Sequence, residues 1–162
     1  MRAVVMLMAA IGLPGCASSA DFVMLDQPIA KVYEVKADKV RIFNVSRQWV
    51  AENFRSARAV VEYEDKDAGT LIGNGSIPYP CVDVSSWNCA TLRQSVTLQF
   101  TMRLDSKDDR FRLEFTNLRV KSEYGEIGQI RRNDLPAAQE ALQAFGDQIV
   151  GRIADQKKSA EW

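Results

Sequence analysis

Three cysteines and a complete lack of histidine bound the chemistry open to this 162-residue chain. Without histidine the commonest general base and the commonest metal ligand are both missing. Cys16 stands apart, just after an apolar run, in Leu13-Pro14-Gly15-Cys16. Cys81 and Cys89 lie together in the stretch from Pro78 to Ala90, which also holds Tyr79, Pro80, Asp83 and Trp87. Their Cys-x7-Cys spacing matches no common zinc pattern.

Leu13-Pro14-Gly15-Cys16 resembles a lipobox, in which the cysteine thiol takes a diacylglyceryl group before cleavage. Pro14 is an unusual residue within that pattern. Arg2 provides a minimal basic n-region, and Ala3 to Leu13 is almost wholly apolar. As a helix these residues would span about 16 Å, half a bilayer core, so they read as a signal h-region and not as a lasting span. Two or three acyl chains on Cys16 would make a firm anchor, since each buried methylene contributes about 0.8 kcal/mol. Ala17 after the cysteine fits an outer-membrane address. A second reading stays open: Ser18-Ser19-Ala20 resembles an ordinary signal-peptidase site, which would discard Cys16 and start a soluble chain at Asp21.

Either route exports the chain to a compartment where thiols pair. Cys81 and Cys89 are then expected to form a disulfide. It would close a nine-residue loop, worth about 2.5 kcal/mol by chain-entropy arithmetic. Charges balance at 21 basic against 21 acidic residues. No basic excess draws in a phosphate backbone, so nucleic acid is not an expected partner. No cofactor and no metal site are expected.

Four further groups could do chemistry or binding. Glu62, Glu64, Asp65 and Asp67 cluster about a turn, where acid pairs would need a cleft to act as a hydrolase. Gly73-Asn74-Gly75 could cradle a phosphate, but strand residues follow it where a helix N-terminus would be needed, which favours a bulge or a close backbone approach. Trp87, with Asp83 and Tyr79, could be a recognition tip on the stapled loop, or could fold back over the bridge. Gln99, Thr101, Arg103, Arg112 and Glu114 would share a wet sheet face, as a ligand surface or as cross-strand ion pairs.

The elements that must position these groups follow from periodicity. Residues 1–15 are signal peptide, 16–28 the lipidated cysteine and tether, 29–155 one domain and 156–162 a polar tail. Ala30 to Val35 alternates as a strand. Asp38 reads as the N-cap of a helix over Lys39 to Ser56, with Val40, Ile42, Phe43, Trp49, Val50 and Phe54 as its apolar stripe. Arg58 to Glu64 and Thr70 to Ile77 form a hairpin across Lys66 to Gly69. Val96, Leu98, Phe100, Met102 and Leu104 alternate with polar residues in the clearest strand of the chain. Asp105 to Asp109 reads as a turn. Phe111, Leu113 and Phe115 continue the alternation, and its phase shifts at Asn117, which predicts a bulge. Ser122 to Asn133 reads as a loop. Asp134 would cap a last helix carrying Ala138, Leu142, Phe145, Ile149 and Ile153 inward, with Pro136 in its first turn. The order β-α-β-β-β-β-α predicts a two-layer α+β sandwich: a curved antiparallel sheet of about five strands, with both helices on one face.

The stretch RQWVAENFRSARAVVEYEDKDAGTLIGNGSI resembles the exported bacterial family known as domain of unknown function 4468. The likeness rests on Trp49 to Phe54, Val60 to Asp67, Gly69, Ile72, Gly73 and Gly75, and extends more loosely over Tyr33 to Ile153. It implies a TATA-binding-protein-like (TBP-like) fold and no catalytic residue. The reading that results is a lipid-anchored envelope protein, working by non-covalent binding or as an accessory part beside an envelope protein partner. A soluble secreted binder of small ligands is the alternative, and a carboxylate hydrolase the third.

Overall fold

The computed structural model describes residues 27–54, 61–81 and 87–159. Cys16 and Asp83 lie outside them, as does the side chain of Trp87. The elements run β1 (Ile29–Glu34), α1 (Lys39–Asn53), β2 (Val61–Asp65), β3 (Thr70–Pro78), α2 (Trp87–Ser95), β4 (Val96–Lys107), β5 (Arg110–Ser122), β6 (Gly125–Gly128), a 3-10 turn (Arg132–Asp134) and α3 (Leu135–Ser159). All strand pairs are antiparallel, in the order β1-β5-β4-β3-β2, and β6 also pairs with β5. β1 and β6 lie end to end along one edge of β5, the first on Arg110 to Phe115 and the second on Val120 to Ser122.

The alternation in β4 and β5 sorts the sheet into two faces. Val96, Leu98, Phe100, Met102 and Leu104 are buried, as are Phe111, Leu113 and Phe115. The bulge expected at Asn117 is present: Gln99 pairs with Arg119 and Thr101 with Thr116, and Asn117 has φ 52°. Asparagine tolerates this left-handed backbone better than most residues. After it Val120 is the inward residue.

α1 and α3 lie on the buried face. Asp38 caps α1 by accepting the Arg41 N–H at 2.9 Å. The buried stripe of α1 is Ile42, Phe43, Val45, Ser46, Trp49 and Val50, while Val40 is 46% exposed. Phe54, Trp49, Phe100, Phe115 and Phe145 form one ring cluster, with centroids 5.2–6.0 Å apart. Gly75 makes room for it. A Cβ there would stand 2.7 Å from the Phe100 ring and 3.1 Å from that of Phe54. This is the close approach that the Gly73-Asn74-Gly75 spacing suggested.

Four stretches depart from the sequence reading. Trp87 to Ser95 is a helix, α2, with Cys89 in its first turn. The presumed loop after Ser122 contains β6 and the 3-10 turn. The turn expected over Asp105 to Asp109 shrinks to Asp108-Asp109, because β4 continues to Lys107. Buried Ser106 holds it there, its N–H and Oγ both donating to the Gly69 carbonyl at 2.8 Å. α3 runs to Ser159, into the stretch read as a polar tail.

Two substitutions test this packing. Gly146 of α3 lies flat on Tyr33, and a Cβ there would overlap the ring. That ring cannot yield, since it stacks on Phe111 at 5.0 Å and its hydroxyl donates to the Gln143 carbonyl at 2.6 Å. Gly146→Ala is expected to destabilise the fold by about 1–3 kcal/mol in urea unfolding; an unchanged midpoint would show that the α3–β1 contact is loose. Ser46 is fully buried in α1, and its Oγ has no partner among the described residues. Ser46→Ala should therefore stabilise by about 1 kcal/mol, measured the same way.

Candidate binding surface

Among the described residues the helices that pack on the sheet do so on its buried face, which leaves the outer face open. Directly paired residues share a face, so the register writes out its rows. One row runs Tyr63, Ile72, Arg103, Glu114 and Ala30; the next runs Asp65, Thr70, Asp105, Arg112 and Val32. On the other side lie Asn74, Thr101 and Thr116, then Ser76, Gln99 and Arg119. The sheet thus brings together all five residues expected on a wet face: Gln99, Thr101, Arg103, Arg112 and Glu114.

Their charges are engaged along strands. Arg103 donates to both oxygens of Asp105, from Nε at 2.8 Å and Nη2 at 3.1 Å. Arg112 pairs with Glu114 at 2.7 Å. The expected cross-strand pairs are therefore replaced by partners two positions apart on one strand. Asp105 went unnoticed in the sequence because it reads as the start of a turn; the alternation carried through Lys107 would have placed it on this face. Burial pushes its carboxyl pKa up. Hydrogen bonds from Arg103 and Thr70, with the charges of Arg103 and Arg112, outweigh that and hold it below the usual carboxylate value.

A polar chain crosses the neighbouring row. Asn117 Nδ2 donates to Thr101 Oγ1 at 3.3 Å, Thr101 Oγ1 donates to Asn74 Oδ1 at 2.8 Å, and Asn74 Nδ2 donates to Glu62. Two of the other turn carboxylates are also occupied. Glu64 pairs with Arg47 of α1 at 2.9 Å. Asp65 accepts the Ala68 N–H at 2.8 Å, which lowers its pKa. Asp67 is held through its backbone, whose carbonyl accepts Lys39 Nζ at 2.6 Å. This geometry is that of a braced hairpin.

Cys81 and Cys89 are joined by a disulfide, Cα to Cα 6.0 Å, which ties the end of β3 to α2. Tyr79 is not a tip residue. It is buried, and its hydroxyl donates to Asp134 Oδ2 at 2.8 Å, where Arg131 Nε also donates at 2.7 Å. Burial, then the hydrogen bond to Asp134, raises the Tyr79 pKa. Asp134 stands directly before α3, at the position expected for its cap, and ends the 3-10 turn as a buried carboxylate. The reason is tertiary: Tyr79 and Arg131 converge on it from β3 and from the loop after β6.

Two hollows flank the hairpin tip between β4 and β5. One of about 740 Å³ is walled by Glu34 to Asp38 and Asp109. The other, about 420 Å³, opens on the outer face and is lined by Val32, Ala68, Asp105, Lys107, Arg110 and Arg112, with Ser106 and Phe111 beneath. Among the described residues no group of three His, Cys, Asp or Glu side chains could hold a metal ion.

An antiparallel sheet with helices on one face and an open, ion-paired second face defines an α+β module of TBP-like type. The chain belongs to the family described as domain of unknown function (DUF4468) with TBP-like fold, whose model matches residues 31–121. The fold is similar to that of a DUF4468 family protein from Bacteroides ovatus, at 12% identity and a TM-score of 0.53, over 83% of this chain and 88% of that one. It is also similar to a TBP-like protein from Parabacteroides distasonis, at 13% identity and a TM-score of 0.57, over 83% of this chain and 98% of that one. No curated protein matches the chain.

Asp105 gives this surface a measurable signature. A carboxyl whose folded pKa lies below its unfolded value contributes stability above the unfolded pKa, about 3.9, and loses that contribution as pH falls through the folded pKa. Asp105→Asn is expected to lower stability at pH 7 and to flatten the stability–pH curve below about pH 4. Parallel curves for wild type and variant in urea titrations from pH 7 to pH 2 would contradict the pairing.

Proposed function

We propose that this chain is a lipid-anchored protein of the cell envelope, held on the periplasmic side of the outer membrane, whose open sheet face binds a partner without catalysis. The observation that carries the binding reading is that face itself: helices pack against the opposite side, while Arg103, Asp105, Arg112 and Glu114 present a patterned, prepaired charge array. Such arrays give specificity and on-rate more than raw affinity. The anchor rests on Cys16 within Leu13-Pro14-Gly15-Cys16. The Cys81–Cys89 disulfide supports an oxidising compartment. Among the described residues no helix is long and apolar enough to cross a membrane; the proposed attachment is the acyl chains on Cys16.

Turnover is not part of the reading. Glu62, Glu64 and Asp65 of the β2–β3 hairpin are taken up by Asn74, Arg47 and the backbone of Ala68, and they do not face one another across a cleft among the described residues. The soluble alternative draws on Ser18-Ser19-Ala20 and keeps the same binding face.

Radiolabelled palmitate should enter the wild-type protein and fail to enter Cys16→Ser. Mass spectrometry finding an unacylated start at Asp21 would replace the anchored form by the soluble one. In intact envelopes, a photo-crosslinker at Thr101 on the open face should trap a defined partner, whereas one at exposed Glu140 on α3 should not. Equal trapping at both positions would remove the assignment of the face.

A further inference from the structure

We propose that the 420 Å³ hollow at the end of the outer face binds a small oxyanion, a phosphate or carboxylate carried on a short apolar stem. This deepens the reading of the sheet face as a binding surface, and it does not depend on the lipid anchor.

The hollow has a local excess of positive charge with no internal use. Lys107 and Arg110 face each other directly across the β4–β5 pair. Like charges in that position destabilise a sheet. Neither side chain makes a hydrogen bond or ion pair among the described residues. Arg112 stands one row further along the same strand, on the same face. The nearby acids are spoken for or turned elsewhere. Asp105 accepts Arg103 and Thr70, Glu114 accepts Arg112, and Asp108 Oδ1 accepts the Lys39 N–H at 2.8 Å. Two acids are left beside the pair, Glu34 opposite Arg110 on β1 and Asp109 in the turn, and neither makes an ion pair among the described residues. Two unpaired cations and a third already shared with a carboxylate form a fork suited to an oxyanion.

The backbone beneath these cations is fixed before any ligand arrives. The Val35 N–H donates to the Asp109 carbonyl and the Asp109 N–H to the Ala37 carbonyl, both at 2.9 Å. On the other side the Ser106 N–H donates to Gly69 at 2.8 Å. A rigid frame lowers the ordering entropy of binding. Val32, 52% exposed, and Ala68 supply apolar lining beside the charges. A bare anion would leave that lining unused, and a lipid headgroup would keep its apolar part in the bilayer. A small amphipathic anion uses both.

Butyl phosphate, butyrate, inorganic phosphate and phosphatidylglycerol vesicles should be titrated against the full chain in a non-ionic detergent, or with vesicles in its absence, and followed by chemical shifts of β4 and β5 amides. Butyl phosphate is expected to saturate below about 10 mM and to bind more tightly than inorganic phosphate. Lys107→Ala with Arg110→Ala should weaken it about tenfold or more, as expected for lost charged hydrogen bonds. Lys107→Arg should keep binding. Lys107→Glu should abolish it while raising Tm, since it replaces a like-charge pair by an opposite one, and this separates lost binding from lost folding. Unsaturated shifts at about 10 mM, equal affinity in the double alanine variant, or binding to vesicles alone would each overturn the site. Those outcomes leave palmitate labelling and crosslinking at Thr101 unaffected, so failure here is distinguishable from failure of the wider reading.

Discussion

One ring cluster holds the two layers together. Phe100 and Phe115 rise from the middle of the sheet, Trp49 and Phe54 come from the end of α1, and Phe145 descends from α3 between them. Edge-to-face rings add about 0.5–1.5 kcal/mol per pair beyond the area they bury. The cluster exists only because Gly75 carries no side chain, which lets the Phe100 ring lie over β3. α1 thus reaches from β1, at one edge of the sheet, across to β2 at the other, and α3 comes back to seal β1 through Gly146 and Tyr33.

With both packing helices on that side, the opposite face answers to different physics. Its side chains pair with one another in water, where an exposed ion pair is worth little. Arg103–Asp105 and Arg112–Glu114 therefore do less for stability than for pattern: they set an alternating charge surface on a rigid support. The support is tied to the helical layer at the β4–β5 tip. Asp38 and Asp108 both take N–H groups from the first turn of α1, so one hairpin tip ties together the sheet, the β1–α1 connection and the helix. This is also where Lys107 and Arg110 are held against each other.

The far end of the sheet is organised by covalent and buried polar links. The disulfide fastens α2 to the end of β3, and Tyr79, two residues before Cys81, reaches Asp134 at the entry to α3. A buried carboxylate needs partners, and Arg131 with Tyr79 supplies them. These links fix where α3 begins.

Much of this was legible in the residues themselves. The period-two runs in β4 and β5, the phase shift at Asn117, the cap at Asp38 and the stripes of α1 and α3 are local patterns, and a one-residue slip would turn every core side chain outward. The inward and outward faces and the layer order followed from them, while the family came from the resemblance of the stretch Arg47 to Ile77. What stayed hidden depends on neighbours distant in sequence. α2 has no strong stripe, and β6 is four residues that form only because β5 leaves an edge free beyond β1. The strand through Asp105 and Lys107 looks like a turn until Gly69 takes the N–H of Ser106. The burial of Asp134 at the start of α3 depends on Tyr79 arriving from beyond β3. The amino-acid order by itself determined which side chains face the core, because periodicity is a property of one segment. Only the tertiary structure decided which charges are paired and which, at Lys107 and Arg110, are left over, because pairing depends on which strands lie side by side.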